Sequence, residues 1–109
     1  MAAKRRDSDG DVDLIDKEKE KEKLKPPSKY NVVFYNDDFT PMDFVVISLI
    51  AFFKHSTPSA IKVMMAVHEK GKAIAGGPYS KEIADTKVAE VKGFARSNAH
   101  PLMAISEKT

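Results

Sequence analysis

The stretch Tyr30-Asn31-Val32-Val33-Phe34-Tyr35-Asn36-Asp37-Asp38-Phe39-Thr40-Pro41-Met42-Asp43 decides how this chain is read. Its first six residues are rich in aromatic and β-branched side chains, the composition of a strand. Its last four resemble a helix start: Thr40 suits the N-cap, Pro41 the first helical position and Asp43 the acid of a capping box. Between them lie Asn36, Asp37 and Asp38, which a helix start does not require. Three amide or carboxylate side chains on one short turn make a cluster of hydrogen-bond acceptors. Such a cluster suits an ammonium group, a metal ion or a water network.

Working outward, the spacing of Met42, Val45, Val46, Leu49 and Phe53 predicts a helix over 41–53. Thr57-Pro58 repeats the cap-then-proline signal and opens a second helix, which Gly71 is placed to end. Residues 72–75 read as a short strand, broken by Gly76-Gly77-Pro78. Ser80 caps a third helix with Glu82 favourable in its first turn, and Ile83, Ala84, Val88, Val91, Phe94 and Ala95 form its buried stripe. Residues 98–101 end that helix, and 102–105 read as a last strand. The predicted class is α+β in the order β-α-α-β-α-β. Its economical packing is a small three-stranded antiparallel sheet with three helices on one face.

The chain has 109 residues, 42% of them hydrophobic, which bounds it to one small domain. Residues 1–25 carry almost no apolar side chains beyond Val12, Leu14, Ile15 and Leu24, and strictly alternating charges from Lys17 to Lys23. They read as a disordered charged extension, because so little apolar surface does not offset the entropy of ordering. Pro26-Pro27 is a stiff boundary, so the core domain is expected over 26–109. Lys and Arg number 18 against 16 Asp and Glu, a net charge of +2, which argues against a nucleic-acid or membrane field. There is no cysteine, which excludes disulfides and thiolate metal sites. No signal-like or bilayer-length apolar run is visible, so the expected compartment is the cytoplasm.

In the second helix, Met64, Val67 and His68 share a face. A histidine there is by default a polar residue at the edge of the core. The acidic turn changes the weighing. Met42 and Val45 on one helix with Met64 and Val67 on the next would form an apolar, deformable pocket. With Asn36, Asp38 and His68 at its mouth, that pocket fits an amino acid bearing a large apolar side chain and a free α-amine.

Several separated motifs then resemble one family, the ClpS adaptors that bring N-degron substrates to the ClpA unfoldase. They are Asn36-Asp37-Asp38-Phe39-Thr40-Pro41-Met42-Asp43-Phe44-Val45, Ala66-Val67-His68 with Gly71-Lys72-Ala73-Ile74, Ala84-Asp85-Thr86-Lys87-Val88-Ala89, and His100-Pro101-Leu102. The resemblance implies that Asn36, Asp38 and His68 contact the substrate's α-amine, partly through water. Asp37 belongs to the same acidic loop, where its side chain shapes the turn. It further implies that Thr40 and Pro41 line the rim, that Met42 is a gate disfavouring β-branched first residues, and that Val45, Met64, Val67 and Leu102 wall the pocket. The favoured first residues would be Phe, Tyr, Trp and Leu. Glu82 and Lys87 match residues that dock on the ClpA N-terminal domain of the ClpAP complex, and the N-terminal extension matches one needed for delivery. Residues 1–25 would span roughly 80 Å if extended, at about 3.3–3.6 Å per residue. A monomer without cofactor or metal is implied. Two departures stand out. The link 75–79 is longer and richer in Gly and Pro than the family's usual one, and Ser48 is polar beside the pocket positions.

Rival readings weigh less. His68 with Asp37 or Asp38 could serve as an acid–base pair, but no nucleophile is placed beside it, so the chain is expected not to be an enzyme. A metal reading of the same three residues lacks suitable ligand spacing. The strongest rival is a small α+β protein-binding module of ribosomal-stalk type, recruiting factors through a helix face. Such a module has no need of the segment 36–42.

Overall fold

The computed structural model describes residues 27–109; the expected disordered extension over 1–25 lies outside the described residues. The elements are β1 (Tyr30–Tyr35), α1 (Met42–Phe53), α2 (Thr57–Lys70), β2 (Lys72–Tyr79), α3 (Lys81–Ser97) and β3 (Met103–Lys108). They follow the expected order. The strands form one antiparallel sheet in the order β2-β1-β3, so the strand of the opening motif is the central one.

That centrality explains its composition. Val32 and Phe34 are fully buried against the helices, and Val33, on the opposite face, is 4% exposed because Ile74 and Ile105 flank it in register. Phe34 meets Phe53 of α1 edge-on at 5.6 Å, tying the sheet to the first helix. Leu49, Ala60, Val67, Ala84, Val91 and Ala95 complete the core from the helices. A fully buried Phe or Leu contributes about 1.5–3 kcal/mol by leaving water. A second aromatic cluster fixes α1 against α3: Phe44 stacks on Phe94 at 4.9 Å and takes the His100 ring edge-on at 4.5 Å.

Four boundaries differ from expectation, each for a local reason. Pro41 rather than Thr40 stands at the N-cap of α1, with φ −63° and ψ 146° and no side-chain cap bond. Ser56, one residue before Thr57, caps α2 by accepting from the Ser59 N–H. β2 runs through Gly76-Gly77-Pro78 instead of stopping before it. It is an edge strand, where a proline's missing N–H breaks no ladder, and its pairing with β1 shifts register between Tyr30 and Val33 to absorb the irregularity. Gly77 has φ +129°, and a Cβ there would lie 3.1 Å from the Tyr30 carbonyl oxygen. The glycine-rich stretch is thus a close approach of two strands, not a loop. β3 starts at Met103 and pairs along the whole of β1, from Tyr35 to Tyr30.

One position of the expected buried stripe is outside. Ile83 is 51% exposed, because the buried stripe of α3 runs through Ala84, Val88, Val91 and Ala95. A residue one position off that stripe points about 100° away at 3.6 residues per turn. Met42 is 44% exposed at the start of α1.

Candidate functional site

The site follows from how β1 ends. The carbonyl of Gly71, which closes α2, accepts the N–H of Asn36 at 2.9 Å, while the Gly71 N–H reaches back to the Val67 carbonyl at 2.9 Å. Tyr35 pairs with Lys72 in the next register position. The turn leaving β1 is therefore stapled to the last turn of α2, the turn that carries Val67 and His68. Gly71 can take this position because its φ of +89° is left-handed. Asn36 and Gly71, 35 residues apart in sequence, bring two motifs together.

Asp37 then builds the turn. Its Oδ1 accepts from the N–H groups of Phe39 at 2.8 Å and Thr40 at 2.7 Å, and its Oδ2 accepts the Thr40 hydroxyl at 2.7 Å. This is why Thr40 does not cap α1: its hydroxyl and its N–H both serve Asp37. A carboxylate accepting three bonds outcompetes a neutral capping contact. Burial by itself would raise the Asp37 carboxyl. The bonds from the Thr40 hydroxyl and the two N–H groups, with the charge of His100, outweigh it and hold the group below its ordinary value.

The result is a cavity of about 260 Å³ lined by nine residues. Met42 and Val45 from α1 face Met64 and Val67 from α2. Val45 and Val67 are 6% and 3% exposed, so the inner wall is apolar. Asn36, Asp37, Asp38, Thr40 and His68 complete the lining, and of these Asn36, Asp38 and His68 are exposed at the mouth. At this volume the hole holds one large side chain, below the roughly 300–1,000 Å³ of sites for larger ligands. A greasy hole under a collar of two carboxylates, an amide and an imidazole is chemically matched to a cation carried next to an apolar group.

Every residue lining this cavity is one that the sequence marks. Pro41 and Leu102 are not among them. Pro41 is exposed at the head of α1, and Leu102, 5% exposed, sits in the core and borders a separate groove beside β3. Ser48 does not reach the cavity either. It is fully buried in the core with its hydroxyl unpartnered. Glu82 lies exposed in the first turn of α3. Lys87 is half-buried: its ammonium donates to the Phe52 carbonyl at 2.7 Å and lies over the Phe53 ring. It is no ordinary solvated lysine. His55 went unmarked in the sequence. It bridges α2 to β2, with Nδ1 2.7 Å from the Ser59 hydroxyl and Nε2 on the Ala75 carbonyl. A carbonyl only accepts, so Nε2 donates to it. No periodicity signals such a contact. Among the described residues no group of three His, Cys, Asp or Glu side chains is arranged to hold a metal ion, and no helix is long and apolar enough to cross a membrane.

Fold and site together define a small α+β binding module with a side-chain-sized pocket under a polar collar. Comparison with known proteins gives it a family. Residues 25–105 match the family model of the ATP-dependent Clp protease adaptor protein ClpS. The ATP-dependent Clp protease adapter protein ClpS of Vibrio atlanticus is 53% identical over 96 residues, covering 88% of each chain. That of Escherichia coli O157:H7 is 48% identical over 98 residues, 90% of this chain and 92% of its own. The solved structure of Agrobacterium tumefaciens ClpS2 bound to L-phenylalaninamide superimposes with a TM-score of 0.74 at 34% identity, covering 77% of this chain and all of that one. The chain belongs to the ClpS family.

Proposed function

We propose that this protein is an adaptor that captures the free α-amine and the large hydrophobic first side chain (Phe, Tyr, Trp or Leu) of N-degron substrates and delivers them to a Clp protease. The observation that carries this reading is the convergence of Asn36, Asp38 and His68 over the apolar cavity of Met42, Val45, Met64 and Val67. The similar ClpS2 structure holds phenylalaninamide, a molecule made of an aromatic side chain and a free α-amine. In this reading the aromatic ring leaves water for the cavity, and the ammonium meets Asp38, the Asn36 amide oxygen and the His68 ring. Asp37 holds the turn that presents them. Met42, half-exposed at the mouth, screens the substrate's Cβ, where a branch would overpack against it. Thr40 and Pro41 form the rim, and Leu102 supports the pocket wall from the core.

The partner in this reading is the N-terminal domain of the ClpA unfoldase in ClpAP, met through the face bearing Glu82 and Lys87. The bond from Lys87 to the Phe52 carbonyl also fixes that face to the end of α1. Residues 1–25 serve delivery, residues 26–109 form the binding core, and the protein acts as a non-catalytic cytoplasmic monomer without a cofactor.

A fluorescence titration across peptides that differ only in their first residue tests the recognition step. Phe, Tyr, Trp and Leu are expected to bind and Ser, Asp or Lys to fail; equal affinity for all would refute it. Deleting residues 1–20 is expected to spare this binding while stopping degradation by ClpA and ClpP. Normal degradation by the truncated protein would leave the extension without a delivery role.

A further inference from the structure

A second cavity, larger than the amine site, lies elsewhere on the described residues. It is a groove of about 780 Å³ between β3 and the last turns of α3, open to solvent and lined on its apolar side by Phe39, Pro101, Met103 and Ile105. Phe39 is 79% exposed, Met103 50% and Ile105 40%, an unusual gathering of large apolar side chains in water. Its charged rim is of one sign: Lys92 and Arg96, both exposed on α3, with no acidic residue in the lining. β3 borders it with a strand edge that no described strand pairs. The amine-binding collar uses none of these residues, although Phe39 follows Asp38 directly.

The same chain carries the complementary chemistry. Residues 7–16 read Asp7-Ser8-Asp9-Gly10-Asp11-Val12-Asp13-Leu14-Ile15-Asp16, with five aspartates, no lysine or arginine, and three of the few apolar side chains found before residue 25. Acid and apolar residues alternate from 11 to 14, the pattern of an extended segment with one apolar and one charged side. Reach is no obstacle. The Lys29 carbonyl accepts the Thr109 N–H at 2.9 Å, so the described chain starts beside the end of β3. Counting back from Lys108 at about 3.4 Å per residue, Ile105 lies roughly 10 Å and Met103 roughly 17 Å along the strand. Residues 17–26 span up to about 33–36 Å extended, twice that distance.

We propose that residues 11–16 of this chain dock in the groove between β3 and α3, with Val12 and Leu14 on the Phe39–Met103–Ile105 wall and Asp11 and Asp13, on the other side of the extended segment, facing Lys92 and Arg96. The surface then keeps the acidic part of the extension on the core, away from the amine pocket, until something competes for it. The occupant is intramolecular, so the interaction is concentration-independent and weakened by salt.

The experiment is an amide NMR comparison of the full chain with a variant carrying Asp11→Lys, Asp13→Lys and Asp16→Lys. Amides of Phe39, Lys92, Arg96, Met103 and Ile105 are expected to shift, those of Ala60 and Ala73 to stay. A reciprocal variant, Lys92→Glu with Arg96→Glu, is expected to release the segment, and combining it with the tail variant to restore the bound shifts. The chain has no cysteine, so a nitroxide on Ser8→Cys reports proximity without background. It is expected to broaden the groove amides selectively. Unchanged groove amides, uniform broadening across the core, or shifts that appear only as protein concentration rises (a second copy as occupant) would each overturn the proposal. Phenylalaninamide titrated in the same samples reads the amine pocket separately, so loss of one does not mimic loss of the other.

Discussion

Replacing Asp37 by asparagine and, separately, by alanine distinguishes a residue that builds the turn from one that binds the amine. In the structure its Oδ1 serves two backbone N–H groups and its Oδ2 the Thr40 hydroxyl. Asparagine keeps an oxygen for both N–H groups, and its NH₂ can donate to a Thr40 hydroxyl that rotates to accept. Alanine loses all three bonds. Hydrogen bonds to a charged group contribute about 1.5–3 kcal/mol each when shielded, but Phe39 is exposed and water replaces part of the loss. The alanine variant is expected to lose about 1–2 kcal/mol in urea unfolding and the asparagine variant less than about 1. In a domain of this size each kcal/mol moves Tm by roughly 4–8 °C. Binding of a Phe-initiated peptide, read by fluorescence anisotropy, should fall about tenfold for alanine, equivalent to about 1.4 kcal/mol, as the collar loses its shape. It should stay within about threefold for asparagine. The pH dependence has a fixed sign. The folded Asp37 carboxyl is held below its ordinary value, so its contribution is complete above the unfolded value of about 3.9 and fades as pH falls through the lower folded one. Wild-type and alanine stabilities should therefore converge in acid. If asparagine costs as much affinity as alanine, the negative charge itself meets the substrate and the turn-building account is wrong.

Other substitutions probe the remaining parts of the account. Met42→Ala should open the mouth and relax rejection of Ile and Val, lowering the Leu-to-Ile affinity ratio about tenfold, since overpacking costs about 1–3 kcal/mol; an unchanged ratio in fluorescence titration removes the gate. Gly77→Ala should destabilise by about 2 kcal/mol or more in thermal melts, because its φ of +129° is a glycine region and the new methyl meets the Tyr30–Asn31 backbone. A melt within a degree of wild type would contradict that strand approach. Ser48→Ala should be neutral or stabilising by about 1 kcal/mol, since it removes a buried hydroxyl with no partner, and should leave peptide affinity alone; a changed affinity would place Ser48 at the pocket after all.

Element order was legible in the sequence because it rests on periodicity and composition, and so were the residues that line the cavity of about 260 Å³. The strand 30–35 is rich in aromatic and β-branched residues, and the cavity is lined by the very side chains that the strand–turn–helix motif and the 64–68 helix face single out. What was illegible depended on competition between contacts. Thr40 has the chemistry of a cap, but Asp37 claims its hydroxyl, a choice visible only once both atoms are placed. Gly76-Gly77-Pro78 reads as a break unless the strand is known to be an edge. Leu102 reads as pocket wall by motif, yet it lies in the core and borders the groove beside β3. The contact from Lys87 to Phe52 spans 35 residues of sequence and no local pattern announces it. The groove beside Phe39 was missed because its residues come from three elements that share no motif.

The central claim is that a charged amine and an apolar side chain are held together at one opening. Its most direct test is a titration of the full chain with two peptides that begin with Phe and differ only in acetylation of the α-amine. The free peptide is expected to bind. The acetylated one should lose at least about a hundredfold, as two charge-assisted hydrogen bonds of about 1.5–3 kcal/mol each disappear. Equal affinity for both would mean that Asn36, Asp38 and His68 do not receive an amine.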